Sequence, residues 1–334
     1  MQKCVDGMTT LKKALSVLSH LKSQEVLVTP DFLAAVSPCH QVWAMIDLDV
    51  GAVLGTGGGV VEVGALKLVL KVLGDVPVTL YPEHLDIQGA TVPVGPITPE
   101  IAPPLDITTP GVRVPTEPLL TALHCVGTTA NQAWQQGIIL DGQNKIITAT
   151  DGSTMFIVRC DKLPAGVLII PPEAVKMFKG RTEVTVRTDR SLVSLEAEGI
   201  GVTCRTVADR APNVLEYLPS EPPAGGFTAN PHHVGRAAKA LITSEVAGEV
   251  FSVVDGALRF GSMPAGRAEG ASGDLSGGYQ AKFIARLDKI TSRKTSAVKV
   301  EMYKTLVKIT SDLYTYAVAQ CRTPQKYSNY KPAG

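Results

Sequence analysis

The sequence lacks the features that mark most metal proteins, secreted proteins and membrane proteins. Its six cysteines are scattered without a CxxC pair, which argues against a zinc site or a dense disulfide framework and predicts reduced, partly buried thiols. The first residues show no basic region followed by an apolar stretch and a cleavage site, and no apolar run reaches the roughly 20 residues that span a bilayer. We therefore expect an intracellular, cytoplasmic protein.

Low net charge and few aromatic residues exclude several modes of nucleic-acid binding. A net charge of +1 argues against binding by bulk basicity, because counterion release requires many clustered cations. Aromatic residues make up only 5% of the chain and do not cluster among basic residues, as stacking on single strands would require. No helix combines the Asn, Gln and Arg side chains that read base edges. Any contact with DNA is expected to be local, with the duplex backbone, and independent of sequence.

Motifs for catalysis are also missing. Neither HExxH nor GxSxG occurs, and the glycine run at 55–59 lacks both the last glycine of GxGxxG and a following GK[ST], which favours a flexible turn. Asp47 and Asp49 share one face of a predicted strand and could hold a metal. No third carboxylate or histidine lies near them, so the outward face of a strand is the better interpretation. We predict that the chain is not an enzyme and has no cofactor and no metal site.

Proline-rich segments divide the chain into pieces of similar length. With 334 residues, 45% of them hydrophobic and 19% charged, the chain is long enough for two or three globular domains. The stretch 93–118 contains eight prolines, and LPSEPPAGG follows at 218–226, so both are interpreted as linkers. The predicted domains are 1–112, 113–223 and 224–324, followed by a C-terminal tail at 325–334. Their similar lengths suggest a repeat.

Capping residues and apolar periodicity predict two helices in each segment. They are expected at about residues 11–21 (capped by Thr9 or Thr10), 63–73, 118–126, 172–179, 231–241 and 283–290. Alternating or β-branched runs with tight polar turns predict hairpins starting near 78, 137, 184, 251 and 298. The predicted fold class is α+β, with antiparallel strands dominating.

Basic residues recur on five of the six predicted helices. Most are spaced at i, i+3 or i+4 beside the apolar stripe of their helix. On one helix this pattern is typical of an ordinary solvated face, but its repetition predicts a local positive surface for phosphates. The residues predicted to face DNA are Lys12, Lys13, Lys67, Lys71, Lys176, Lys179, Arg236, Lys239, Lys282, Arg286 and Lys289.

Five stretches resemble the bacterial-type DNA polymerase III beta sliding clamp family. They are IITATDGSTMFIVR at 146–159, VLIIPPEAVKMF at 167–178, VADRAPNVLEYLP at 207–219, GGYQAKFIARLDKI at 277–290 and SDLYTYAVAQCR at 311–322. The first segment matches only in plan. The resemblance implies the DNA clamp fold, with three similar domains that each have two helices and two antiparallel sheets. It also implies a dimeric ring around duplex DNA that acts as a polymerase processivity factor.

The resemblance implies a pocket for short linear peptides from DNA polymerase, the clamp loader and repair proteins. Carried over by position, the pocket residues are Thr150, Gly152, Ser153, Thr154, Met155, Pro219, Ala317, Val318 and Ala319. The sequence departs from the family at Ser153 and Thr154, where His and Arg are usual, and at AQCR in 319–322, where Met-Pro-Met-Arg is usual. We therefore hypothesise a divergent clamp, such as one encoded by a bacteriophage, with its own partner motif.

Two alternatives belong to other classes of protein. A structural or assembly protein of repeated β-rich domains would explain the low charge and the missing catalytic motifs. It gives no reason for the basic residues that recur on the helices. Solution mass separates this alternative from a closed ring. An enzyme with an unrecognised site is the second alternative, and Asp47→Ala in a metal-dependent nuclease assay tests it.

Overall fold

The computed structural model describes residues 10–39, 41–49, 51–98, 107–128, 132–189, 191–207, 210–242, 249–275, 277–292 and 295–321. By its internal contacts the chain divides into two compact units. Unit 1 takes its described residues from 1–120, 140–144 and 162–209, and unit 2 takes its from 121–139, 145–161 and 210–334. No helix in the described residues is both long and apolar enough to cross a membrane.

The described residues form the helices α1 (Leu11–Leu18), α2 (Val63–Leu73), α3 (Thr116–Ala122), α4 (Pro172–Lys176), α5 (Pro231–Leu241), α6 (Ala281–Ile284) and α7 (Leu287–Ile290). The helices α1, α2, α4 and α5 begin at the predicted residues. Thr10 caps α1 by accepting from the Lys13 amide, whereas Thr9 lies outside the described residues. Asn230 caps α5 by accepting from two backbone amides, and Pro231 follows at the first helical position. The bounds predicted for α2 and α5 are confirmed.

Three helices in the second and third predicted domains differ from their predicted bounds. The helix α3 starts two residues before the predicted 118 and continues as a 3₁₀ turn, Leu123–Cys125, while α4 ends at Lys176 instead of 179. The last predicted helix is split into α6 and α7. In that segment the amides of Arg286 and Lys289 donate to carbonyls three residues earlier, so 3₁₀ bonds interrupt the α-helical ladder.

The predicted hairpins are all present, and the α+β class with antiparallel sheets is confirmed. The strands of the first half are β1 (Glu25–Val28), β2 (Phe32–Val36), β3 (Val42–Asp47), β4 (Val53–Gly55), β5 (Gly59–Glu62), β6 (Val78–Leu80), β7 (His84–Ile87), β8 (Ala90–Pro93), β9 (Val112–Pro115), β10 (Ile138–Asp141), β11 (Ile146–Thr150) and β12 (Thr154–Arg159). Those of the second half are β13 (Val167–Ile170), β14 (Glu183–Asp189), β15 (Leu192–Ala197), β16 (Ile200–Arg205), β17 (Gly225–Ala229), β18 (Phe251–Val254), β19 (Ala257–Phe260), β20 (Met263–Gly273), β21 (Val298–Met302), β22 (Leu306–Thr310) and β23 (Tyr314–Ala319).

Unit 1 contains an eight-stranded antiparallel sheet in the order β5-β1-β2-β3-β16-β15-β14-β9. Its central pair, β3 and β16, joins strands from the first and second predicted domains, with Ile46 opposite Ile200. A four-stranded sheet follows the order β4-β6-β7-β8, in which β4 and β6 are parallel. The glycine run at 55–59 connects β4 to β5, and a side chain at Gly59 would overlap Val94. Gly59 is therefore tightly packed, whereas residues 55–57 of the run are exposed.

The core of unit 1 follows the period-two pattern of its strands. In β3, Val42, Ala44 and Ile46 are buried on one face of the sheet. Trp43 and Met45 project from the other face, where they pack against a buried cluster of Leu27, Ala34, Val36 and Val60. Both faces of the central strand are therefore covered.

Unit 2 contains the strands in the order β11-β12-β23-β22-β21-β17-β20-β19-β18. The pair β12 and β23 joins the second predicted domain to the third, with Phe156 opposite Tyr316. The helix α5 packs on β20 and against α6 and α7. Strand pairing in each unit thus continues across a predicted domain boundary, and the division into three domains stays a prediction.

Candidate functional site

The turn between β11 and β12 in unit 2 is held by several side-chain hydrogen bonds. One oxygen of Asp151, Oδ1, accepts hydrogen bonds from the Ser153 amide (3.0 Å), the Thr154 amide (2.7 Å) and the Thr154 hydroxyl (3.0 Å). Gly152 has φ +84°, a left-handed conformation that favours glycine. The sequence TDGST therefore folds into a turn whose backbone is held by its own aspartate.

Arg286 fixes this turn to the helical segment that follows β20. Its Nη1 donates to Asp151 Oδ2 at 2.7 Å and to Thr154 Oγ1 at 2.6 Å. Burial raises the pKa of Asp151, but the hydrogen bond and charge of Arg286, together with the two amides of the turn, outweigh burial and lower this pKa. The Asp151 and Arg286 side chains are 13% and 24% exposed. The turn is thus held by a largely desolvated, charge-assisted ion pair.

The side chains beneath this ion pair are buried and neutral. Burial raises the pKa of the Cys125 thiol to about 12, so the thiol is protonated at neutral pH and is not an activated nucleophile. Burial also raises the pKa of Tyr316, whose hydroxyl donates to the Phe283 carbonyl at 2.7 Å. These contacts connect β23 to α6 and support the turn from below. Cys125 and Tyr316 therefore have a structural role.

A mainly apolar cavity of about 360 Å³ lies on one side of the turn, and we call it the apolar cleft. It is lined by Gln132, Trp134, Gln135, Thr150, Gly152, Ser153, Thr154, Met155, Tyr217, Leu218, Thr305, Leu306, Ala317 and Ala319. Trp134 is buried, whereas Tyr217 stands at the rim and is 55% exposed. The strand β23 contributes two alanines, Ala317 and Ala319, to the lining. Such a cavity suits an apolar side chain from a partner.

A second cavity of about 640 Å³ lies on the other side of the turn, and we call it the polar cleft. It is lined by Val126, Gly127, Thr128, Gln132, Gln135, Asp151, Gly152, Ser153, Lys282, Phe283 and Arg286. Four residues line both clefts: Gln132, Gln135, Gly152 and Ser153. The two clefts are therefore adjacent, and the turn at 151–153 separates them.

Seven of the nine residues predicted for the peptide pocket line the apolar cleft: Thr150, Gly152, Ser153, Thr154, Met155, Ala317 and Ala319. The other two, Pro219 and Val318, do not. Val318 alternates with its neighbours on β23 and is fully buried on the opposite face, and the cleft is lined by Leu218 instead of Pro219.

Several residues of the apolar cleft escape sequence reasoning. Trp134 and Gln135 belong to a 3₁₀ turn, Ala133–Gln136, that has no periodic signal. Leu306 lies directly opposite Ala319 in the antiparallel pair of β22 and β23. The hairpin at 298–310 and the following strand could have indicated Leu306, because adjacent strands place opposing side chains on one face.

The basic residues predicted to face DNA are largely exposed in unit 1. Lys12, Lys13, Lys67, Lys71 and Lys179 are exposed, and Lys176 is half-buried. The pKa of His20 is lowered. Partial burial of its ring is the larger cause, and the positive charges of Lys176 and Lys179 add to it. Lys176 at the end of α4 and Lys179 just after it therefore lie near His20, which belongs to the 3₁₀ turn that follows α1.

In unit 2 the predicted DNA-facing residues fall into two groups. Arg236, Lys239 and Lys289 are exposed on α5 and α7. Lys282 is exposed but lines the polar cleft, and Arg286 is engaged by Asp151 and Thr154. The i, i+4 spacing predicts one exposed stripe, whereas the break between α6 and α7 turns Arg286 into the cleft. Arg286 therefore differs from the exposed cation that a phosphate contact requires.

The aspartates considered as metal ligands lie apart from any cluster of donors. Asp47 is exposed at the end of β3, and Asp49 follows it half-buried. Across the described ranges, no group of three or more His, Cys, Asp or Glu side chains could hold a metal ion. None of the five cysteines that the structure describes is in a disulfide bond.

Comparison with known proteins relates the chain to one fold. No protein-family model matches the sequence, and no curated protein matches it. Among solved structures, the DNA polymerase III beta subunit of Thermotoga maritima is similar with a TM-score of 0.75 at 14% identity, covering 96% of this chain and 99% of that one. The sliding clamp of Pseudomonas aeruginosa gives 0.72 at 14% identity, covering 93% and 97%. The Helicobacter pylori beta clamp bound to a DNA ligase peptide gives 0.72 at 14% identity, covering 93% and 97%.

These similarities extend over almost the whole of each chain, although few residues are identical. Of the stretches that resemble the clamp family, 146–159 and 277–290 contribute residues to the lining of the clefts, as does the strand β23. The predicted fold is thus confirmed by structure, and the low identity fits a divergent sequence. The chain has the fold of the bacterial DNA polymerase III beta sliding clamps.

Proposed function

We propose that this chain is a DNA sliding clamp subunit that binds partner proteins through the apolar and polar clefts. The observation that carries this proposal is the turn at 151–153, held by the Asp151–Arg286 ion pair and bordered by two adjacent clefts in a chain of the clamp fold. An apolar cleft of this size fits an extended peptide with aliphatic or aromatic anchors. The H. pylori clamp of similar fold is described as bound to a DNA ligase peptide, which supports the same use here.

We propose that the exposed cations of the helices, apart from Lys282 in the polar cleft, face duplex DNA inside a homodimeric ring. Contacts with phosphates are electrostatic and independent of sequence, so a closed ring slides along the duplex but leaves it only by opening an interface. A polymerase tethered to such a ring stays near the primer end after it lets go, because tethering raises its effective concentration. The proposed role is therefore that of a non-enzymatic processivity factor, with DNA polymerase and a clamp loader as peptide-bearing partners.

The proposed role places the chain in the cytoplasm of a bacterial cell, or of the host if a bacteriophage encodes it. A structural or assembly protein of repeated β-rich domains is the alternative. Mass measured in solution at micromolar concentration separates the two, because a closed dimer of the 35.3 kDa chain has a single mass near twice that value. Large heterogeneous assemblies would favour the alternative.

Peptide binding in the apolar cleft is tested by Ala319→Glu. Ala319 is exposed and lines the cleft, so the new carboxylate places a charge beside the apolar anchor without disturbing the core. We expect the affinity for a cleft-binding peptide to fall at least about tenfold, which corresponds to about 1.4 kcal/mol. The measurement is fluorescence anisotropy with a labelled peptide selected from a random nonapeptide display library.

The matched control is Leu313→Glu, which introduces the same charge just before β23. Leu313 is 62% exposed and lines neither cleft. We expect this variant to bind the peptide as the unmodified protein does. Equal loss in the two variants, or no loss in either, would contradict the assignment of the apolar cleft as the peptide site.

A further inference from the structure

We infer that the partner segment bound in the apolar cleft also carries an acidic side chain, which Lys282 binds in the polar cleft. This inference rests on the proposed function and specifies the chemistry of the partner. The apolar cleft would receive the apolar anchor, and the polar cleft would receive a carboxylate on the same extended segment. Lys282 would then be a specificity residue for partners instead of a contact to DNA.

The position of Lys282 is set by an aromatic ring on the cleft wall. Its Nζ lies 4.7 Å from the centroid of the Phe283 ring, within the range of a cation–π contact. The Phe283 ring is held by burial, and its backbone carbonyl accepts a hydrogen bond from the hydroxyl of Tyr316. Lys282 thus presents its charge at a defined place in the polar cleft while remaining exposed.

The charges that line the polar cleft leave one cation uncompensated. Asp151 and Arg286 neutralise each other across 2.7 Å. Lys282 has no ion pair with any residue that the structure describes, and the other polar side chains of the lining are neutral. The cleft therefore carries a surplus of one positive charge. A carboxylate complements this charge, whereas a basic side chain of a partner would be repelled.

The adjacency of the two clefts favours a peptide carboxylate over a DNA phosphate. Gln132, Gln135, Gly152 and Ser153 line both cavities, so one extended segment of a few residues reaches from the apolar cleft into the polar cleft. The glutamine side chains on the shared wall offer donors to the same segment. A duplex, which presents only phosphates and sugars along its backbone, makes no use of the adjoining apolar surface.

The test compares peptide selection by the unmodified protein, by Lys282→Gln and by Lys289→Gln. Lys289 is exposed on the neighbouring α7 and lines neither cleft, so its substitution is the matched loss of charge. From a random nonapeptide library, the unmodified protein and Lys289→Gln should enrich peptides with an apolar anchor and an Asp or Glu at a constant spacing. Lys282→Gln should enrich the same anchor without the acidic residue.

A selected peptide then completes the test in solution. Replacing its acidic residue by the corresponding amide should weaken binding to the unmodified protein by about 3- to 5-fold, as expected of a solvent-exposed ion pair. The same replacement should leave binding to Lys282→Gln unchanged. This double-mutant comparison separates a direct contact from a general effect of charge.

The outcomes distinguish this inference from the proposed function. Peptides with an apolar anchor and no acidic preference would overturn the inference and leave the proposed function standing. If no selected peptide is sensitive to Ala319→Glu, the proposed binding of partners in the apolar cleft is overturned and the inference with it. If Lys282→Gln weakens retention on duplex DNA but leaves peptide selection unchanged, Lys282 belongs to the DNA-facing surface and the inference is wrong.

Discussion

Replacing Arg286 with methionine is expected to lower the free energy of unfolding by about 3 kcal/mol, because it leaves the Asp151 carboxylate desolvated and without its ion pair. The expected loss is at the lower end for buried pairs, since both side chains border the polar cleft and keep some contact with water. The variant also removes a hydrogen bond to Thr154. Urea denaturation at neutral pH measures this change as a shift of the midpoint.

Two further variants make this result specific. Lys289→Met removes an exposed cation from the same helical segment and should change stability by less than about 0.5 kcal/mol. Adding Asp151→Asn to Arg286→Met removes the unpaired charge. We therefore expect the double variant to have a higher free energy of unfolding than Arg286→Met alone. Full stability of Arg286→Met alone would show that the ion pair does not hold the turn.

The pH dependence of this effect has a definite sign. The pKa of Asp151 is lowered in the folded protein, so the unfolded chain binds more protons in the acidic range. The stabilisation is fully present above the ordinary carboxyl pKa of about 3.9 and is lost as the pH falls through the lower folded-state value. The stability difference between the unmodified protein and Arg286→Met should therefore be largest near neutral pH and should shrink in strong acid.

Neutralising three exposed lysines of the predicted DNA-facing set should weaken duplex binding on the order of 100-fold near physiological salt. We choose Lys12, Lys71 and Lys239, which lie on α1, α2 and α5 and line neither cleft. The logarithm of the affinity falls linearly with the logarithm of the salt concentration. Each lost phosphate contact should make this dependence less steep by about 0.9. Anisotropy of a labelled duplex between about 50 and about 200 mM salt measures both effects of the triple Lys→Gln variant.

The control for this variant removes the same total charge elsewhere. Lys145, Lys162 and Lys304 are exposed and lie outside the predicted helices, so their triple Lys→Gln variant should bind duplex DNA nearly as the unmodified protein does. A similar loss of affinity and slope in both triple variants would mean that duplex binding follows net charge alone. In that case the helices would have no special role in DNA contact.

Local chemistry in the sequence is enough to predict most of the secondary structure. Thr10 and Asn230 cap helices through side-chain bonds to amides two or three residues away, and hairpin turns involve neighbours along the chain. The split between α6 and α7 is not predicted in this way. Their apolar residues keep a helical spacing, while 3₁₀ bonds around Arg286 break the ladder.

The candidate site is harder to predict because it is assembled from distant parts of the chain. Thr154 and Val318 are paired across β12 and β23, and Trp134, Tyr217 and Leu306 reach the apolar cleft from three other segments. The resemblance to the clamp family supplies the residues around the turn and on β23. The resemblance does not place Lys282 at the polar cleft. The spacing of basic residues along the helices predicts that Lys282 and Lys289 both face DNA, whereas only Lys282 lines the cleft.

Retention on circular against linear duplex DNA tests encirclement most directly. The protein is assembled on a nicked circular plasmid, freed of unbound protein by gel filtration, and examined before and after the plasmid is cut once. A ring held by topology stays on the circle and slides off the ends of the linear form. We predict retention on the nicked circle and loss after cutting; equal retention or equal loss on both forms would contradict encirclement.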